Sequence, residues 1–425
     1  MIKHITDANI GIAQLEREIN SAEECSTIYL DTALAFDLES DRRMLVGANV
    51  TRGLISIKTR DLIIDGQGNK ITFRCTHPHA NDVALLHITQ TALGVELRNL
   101  AIDFVYEGEN TVRKSIMIRN NAYGVKVSHC KLCMTSRAQM NMTVIQNDRR
   151  IDTVFDREGD NFVVEDNDIR IYCEPTVSDN SLYCCGIYND LPNSMELTNN
   201  YIYLMIGGVG ERQRSVGIFN NGRYVRMVNN NIKANGLHME GKKKEHTHVI
   251  GLDNEGDYLL FASNNCVAEW AGKAIGLQNK GSYCSFTNNK FIGTHAIHGI
   301  SVLNKGGLCT FTANLMTSTS RNPRLLVNIA NNVNYYANIL QGFFYVQDAR
   351  SGCGMMFLNS ENCNVVGNQI FGMKNCGIFT RNSNLRAEYN NIETQNGDWL
   401  FRAVATETDQ DIASVIDEGK IKSVD

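Results

Sequence analysis

Proline is scarce, with four in 425 residues. Each proline deletes a ladder donor, so the shortage suits a chain made mostly of internal strands. No uninterrupted apolar run reaches the length of a membrane span, and no membrane partner is expected. An excess of one charge is also lacking. The chain has 41 Lys and Arg against 46 Asp and Glu, for a net charge of −5. A broad basic face for nucleic acid is therefore not expected. The opening Met1-Ile-Lys-His-Ile-Thr-Asp7 has no hydrophobic signal core, which leads to the expectation of a cytoplasmic protein, or a secreted one if a signal peptide has been removed. The cysteines number 13 and lack a pattern. Cys130 and Cys133 have zinc-ligand spacing, but no second pair accompanies them. Most cysteines sit at apolar positions of the repeat, where a thiol acts as a small hydrophobe, and reduced, buried cysteines are expected. No complete metal-ligand set is evident, and neither a metal nor a cofactor is expected.

What the chain does have is an internal repeat. Asn220, Asn254, Asn279 and Asn304 align in one register. Two residues on come Gly222, Gly256, Gly281 and Gly306, and two further on Tyr224, Tyr258, Tyr283 and Leu308. Each copy runs into a short apolar strand ending near Asn230, Asn265, Asn289 or Asn314. Upstream copies include Asp61-Leu-Ile-Ile-Asp-Gly-Gln-Gly-Asn-Lys-Ile-Thr-Phe73, Val95–Ile102, Val125–Leu132, Val163–Ile169 and Met195–Ile202. Period-2 alternation predicts strands with one buried face. Asn at a recurring turn position tolerates left-handed backbone, and its amide can bond to the coils on either side. Gly two residues later permits a tight bend. Units this short cannot hold a repeated strand–helix–strand crossover, so each reads as a coil of short strands. About a dozen such coils make an all-β solenoid.

The Asn-Asn-x-Ile and Asp-Gly-x-Gly-Asn-x-Ile patterns resemble the right-handed parallel β-helix repeat of the pectin-lyase-like superfamily. The resemblance covers roughly residues 50–395. It divides the chain into an N-terminal cap (1–50), the β-helix (51–395) and a C-terminal cap or tail (396–425). Residues 7–20 read as an amphipathic capping helix with Asp7 as N-cap and Ile12, Leu15 and Ile19 on one face. The resemblance implies an oligo- or polysaccharide partner bound along a groove. Similarity to fructan-processing β-helix transferases adds the expectation of a homotrimer. The Asn-Thr-Asp, Asp-Asp and Gly-His-Gly motifs of polygalacturonase-type hydrolases are absent, His298-Gly-Ile being the nearest fragment. Arg321-Asn-Pro-Arg324 matches only part of the pectate-lyase Arg-x-Pro-x-x-Arg stretch.

Coil lengths are uneven, and long loops leaving a rigid stack usually carry binding residues. The richest region is 236–270. Glycosidic cleavage needs a proton donor and a second carboxylate, and Asp253 and Glu269 are the first candidates, with Glu240 in reserve. Asp253 occupies a slot filled elsewhere by Phe219, Gln278 and Leu303, and the counterpart of Glu269 one coil on falls near His295. His238, Lys244, His246, His248, Trp270, Gln278 and His295 are the candidate substrate-binding residues. The expected function is glycosidic-bond cleavage by a glycoside hydrolase or a related transferase. Two alternatives stay open. One is a polysaccharide lyase with a His or Lys base from the same region. The other is a non-catalytic glycan-binding or phage-tail-like protein, against which the missing fibrous stem speaks. Asp148, Asp152, Asp156, Glu158 and Asp160 form a polar loop that could hold calcium.

Overall fold

The computed structural model describes residues 1–38, 52–76, 83–108, 112–138, 140–147, 161–174, 182–190, 194–207, 213–236, 247–344, 352–374, 376–394 and 399–404. The strands form three parallel sheets, of 14, 13 and 13 strands. Each turn of the chain adds one strand to the first sheet, one to the second and one to the third, in that order. One such coil is Leu260–Ala262, Asn265–Glu269 and Lys273–Asn279. This is the right-handed parallel β-helix expected from the repeat. The sheets extend past the expected boundaries. The first begins at Ile2–Ile5 and the third ends at Trp399–Val404.

Alternation along the strands turns one apolar side chain in two toward a continuous central core. Phe286 stacks on Phe311 at 4.5 Å, and Phe311 on Tyr335 at 4.9 Å, each pair bridging adjacent coils. Polar lines run inside the same core. From Asn120 through Asn147, Asn189, Asn220, Asn254, Asn279 and Asn304 to Asn328, each side-chain amide donates to the next at 2.7–2.9 Å. A second line runs through Asn167, Asn200, Asn230, Asn264, Asn289, Asn314, Asn338, Asn368 and Asn390 at 2.9–3.2 Å. Every inner amide has a partner on each side, which is what makes burial of these groups affordable.

Two details differ from the sequence reading. The second line passes through Asn264, and Asn265 points outward to bond Asn231 at 3.0 Å. The left-handed residue is not the ladder Asn but its predecessor, as at Asn229 and Asn288, or the later Tyr258 and Tyr283. Gly256, Gly281 and Gly306 stack so closely that a Cβ on each would strike the carbonyl of the glycine one coil back.

The single described helix runs Ile12–Asn20 with Gly11 as its N-cap. Asp7 does not cap it; its carboxylate instead accepts from the Asn9 N–H at 2.9 Å, closing a local turn. Ile12, Leu15 and Ile19 are buried as expected. The helix covers the open edge of the third sheet. The Ser56 N–H donates to Glu16 (3.0 Å), the Lys58 N–H to Asn20 (2.8 Å), and Asn20 donates back to the Ser56 carbonyl (2.7 Å). Side chains thus satisfy groups that an uncovered edge strand would expose.

Candidate functional site

Among the described residues, the third sheet is buried on its inward face and also along the middle of its outward face. Its outward side chains form a second apolar cluster, separate from the central core, that includes Cys185, Val216, Ile250, Ile275 and Ile300. Parallel pairing in strict register arranges the outward residues in three columns. The middle column runs Cys185, Val216, Ile250, Ile275, Ile300 and Arg324. On one side of it lie Arg214, His248, Lys273 and His298. On the other lie Tyr188, Phe219, Asp253, Gln278 and Leu303. Two residues beyond Asp253, Gln278 and Leu303 come Glu255, Lys280 and Lys305, with Lys280 paired to Glu255.

Cations gather on this face although the chain as a whole is acidic. Lys273 is only 9% exposed and Arg324 only 3%. Burial, reinforced by the positive charges of Lys305 and Arg324, pulls the Lys273 ammonium down to about 7. An amine in that range is partly neutral near neutral pH, unlike an ordinary surface lysine.

Asp253 is fully buried. Its Oδ2 is held by the Arg214 guanidinium, and its Oδ1 accepts from Gln278 Nε2 at 3.0 Å. Burial pushes its carboxyl up, against the opposing pull of Arg214. Its slot matches the sequence alignment, level with Phe219 and Gln278.

Glu269 projects from a different sheet. It ends the second-sheet strand Asn265–Glu269, is paired with Lys233 at 2.6 Å and accepts from Asn235 at 3.3 Å. Its register partner is Thr294, so the counterpart of Trp270 is His295. Trp270 and His295 share left-handed backbone (φ 59 and 53) and stack at 4.4 Å on the turns that lead into the third sheet. Each precedes a member of the basic column by three residues, Lys273 and His298 respectively. The structure therefore brings Asp253, Gln278 and His248 onto one face, sets Trp270 and His295 at its border, and leaves Glu269 on the neighbouring sheet. Glu240, His238, Lys244 and His246 lie outside the described residues, as does the acidic loop from Asp148 to Asp160.

The sequence reading missed Arg214, Lys273, Lys305 and Arg324. The signal was present, because His248, Lys273 and His298 recur at the coil period in one slot.

A cavity of about 420 Å³ lies elsewhere, lined by Gln67, Gly68, Asn99, Leu100, Ala101, His129 and Lys131. His129 there neighbours Glu165 and Asp166, but Glu165 is already paired with Lys126 at 2.7 Å. None of the thirteen cysteines, all among the described residues, forms a disulfide, and most are buried. No described helix is long and apolar enough to cross a membrane.

No family model matches the chain, and no curated protein does. Among solved structures it is similar in shape to the A-module of the mannuronan C-5 epimerase AlgE4 from Azotobacter vinelandii. That match has 13% identity and a TM-score of 0.47, and covers 96% of this chain and 98% of that one. It is also similar to the surface adhesin PfbA of Streptococcus pneumoniae, with 9% identity, a TM-score of 0.39, and 95% and 91% of the two chains. A third is the Dettilon tailspike protein, with 10% identity, a TM-score of 0.44, and 95% and 68% covered.

Proposed function

We propose that this chain is a polysaccharide lyase acting on an acidic glycan bound at the edge of the third sheet's outward face that carries Arg214, His248, Lys273 and His298. The observation that carries the reading is Lys273, an amine buried in a cationic, largely apolar face and held near neutrality. Elimination from a uronosyl unit begins with removal of the proton next to the carboxylate. Lys273 is the base for that step. The electron pair left behind forms the carbon–carbon double bond. The bond to the glycosidic oxygen breaks, and that oxygen takes up a proton. His298, one coil on in the same column, is the donor placed to supply it. Arg324 and Lys305 offset the negative charge that builds on the carboxylate during abstraction. Trp270 and His295 provide a flat border for a sugar ring.

Two-carboxylate cleavage has less behind it. Asp253 and Glu269 face out from different sheets, and each is already engaged by a cation.

The test is incubation with oligogalacturonate, oligomannuronate and oligoguluronate, followed by mass spectrometry. Lyase products carry one unsaturated end and are lighter by one water than products of hydrolysis. Lys273→Ala and Lys273→Arg should each lose about 10²–10⁴-fold in rate, the usual contribution of general base catalysis. Hydrated products, or turnover by Lys273→Ala at the wild-type rate, would remove the lyase assignment.

A further inference from the structure

Arg214 begins in the basic column, yet its guanidinium meets Asp253 in the opposite column of the next strand. To do so it crosses the middle column at Val216 and Ile250, which are 0% and 3% exposed. The two ends of this bridge differ sharply. The Asp253 side chain is 0% exposed and the Arg214 side chain 44%. Asp253 is also pinned from the far side, since Gln278 donates to its other oxygen at 3.0 Å. A fully buried carboxylate with both oxygens engaged is a fixed anchor. The arginine it anchors is not buried, and only one of its five N–H donors serves the bridge.

We propose that Arg214 is a specificity-determining receptor for a carboxylate of the bound glycan, with Asp253 as its positioning residue. This rests on the acidic-glycan reading above and names the group that is recognised. A planar guanidinium fork matches a carboxylate two bonds at a time, which a lysine cannot do. The floor beneath it is apolar, so a ligand seated on the fork would shut water from the contact, and charge-assisted hydrogen bonds strengthen in such surroundings. Without Asp253 the long side chain would spread over many rotamers; with it, the fork is held in place before ligand arrives. The Arg214 and Lys273 backbones stand two strand spacings apart, about 10 Å, but the fork itself lies at Asp253, on the strand between them and across the middle column from Lys273.

The experiment measures binding by calorimetry, with Lys273→Ala as background so that no turnover intervenes. The probes are short oligogalacturonate, oligomannuronate and oligoguluronate, each beside its carboxyl-reduced, neutral counterpart. Arg214→Gln should weaken binding of an acidic probe about 10–100-fold, the worth of a charged hydrogen-bonded contact. Arg214→Lys and Asp253→Asn should each weaken it about tenfold, by losing the fork or its anchor. Binding of the neutral counterpart should stay within about twofold for all three. Merely structural damage would weaken acidic and neutral probes alike, and that result overturns the proposal. So does Arg214→Gln binding the acidic probe as tightly as its background. Failure of the background protein to bind any acidic probe counts against the acidic-glycan reading itself.

Discussion

Replacing Lys273 by methionine should change how stability depends on pH, and this can be measured before any substrate is known. The Lys273 ammonium is held at about 7 in the folded chain against an ordinary 10.5, through burial first and then through Lys305 and Arg324. Between those two values the unfolded chain binds the proton and the folded chain releases it. Stability therefore rises with pH through this window. The favourable contribution is complete above the unfolded value and is lost as pH falls toward about 7. The gap corresponds to about 5 kcal/mol across the window for a side chain that is 9% exposed. Methionine fills similar space beside Ile250, Ile275 and Ile300 without titrating. Urea denaturation should be followed from pH 7 to 10.5 for both proteins. The wild-type chain should gain stability relative to Lys273→Met as pH rises, the other titrating groups cancelling in the difference. A difference curve flat to within about 1 kcal/mol would refute the claim that Lys273 is held near neutrality.

The interior makes further predictions. Asn279→Ala removes the acceptor for Asn254 and the donor to Asn304 and the Gly281 carbonyl, and should cost about 1–3 kcal/mol for each group orphaned, read from denaturant midpoints. Gly281→Ala drives a methyl into the Gly256 carbonyl and should cost more than about 4 kcal/mol, whereas Gly307→Ala meets only the Asn331 carbonyl at 3.2 Å and should fold. Tyr258→Ala removes stacks on Tyr224 (4.9 Å) and Tyr283 (5.0 Å) and should cost about 1–3 kcal/mol with glycan binding unchanged, checked by melting and calorimetry.

The coil was legible because three kinds of residue repeat for separate physical reasons. Asn279 needs partners on both sides, Gly281 needs the absence of a Cβ, and Phe286 needs an apolar neighbour in each adjacent coil. These demands are local and recur every coil, so they leave a period in the sequence. The slip from Asn264 to Asn265 has a simple cause. Two asparagines stand side by side, and only the strand alternation after them settles which one faces inward. The site was harder to read. Asp253 stood out as a lone carboxylate in its slot, but its partner Arg214 lies one coil back and in another column, so no spacing along the chain connects them. Lys273 looks like any strand-end lysine until the third sheet proves to be buried on its outward side. The repeat does not encode that burial. Glu269 drew notice by its neighbour Trp270, yet the turn between them separates two sheets, so adjacency in sequence does not put the carboxylate beside Asp253.

The most direct test of the lyase assignment is a continuous ultraviolet absorbance trace of the purified chain with an oligouronate, run beside Lys273→Arg. Elimination creates a double bond conjugated to the carboxylate, so absorbance should climb with the wild-type chain and stay flat with the variant, which keeps its charge at every pH but cannot act as a base. Equal absorbance gains from both proteins, or release of reducing ends with no gain at all, would contradict Lys273 as the base of an elimination.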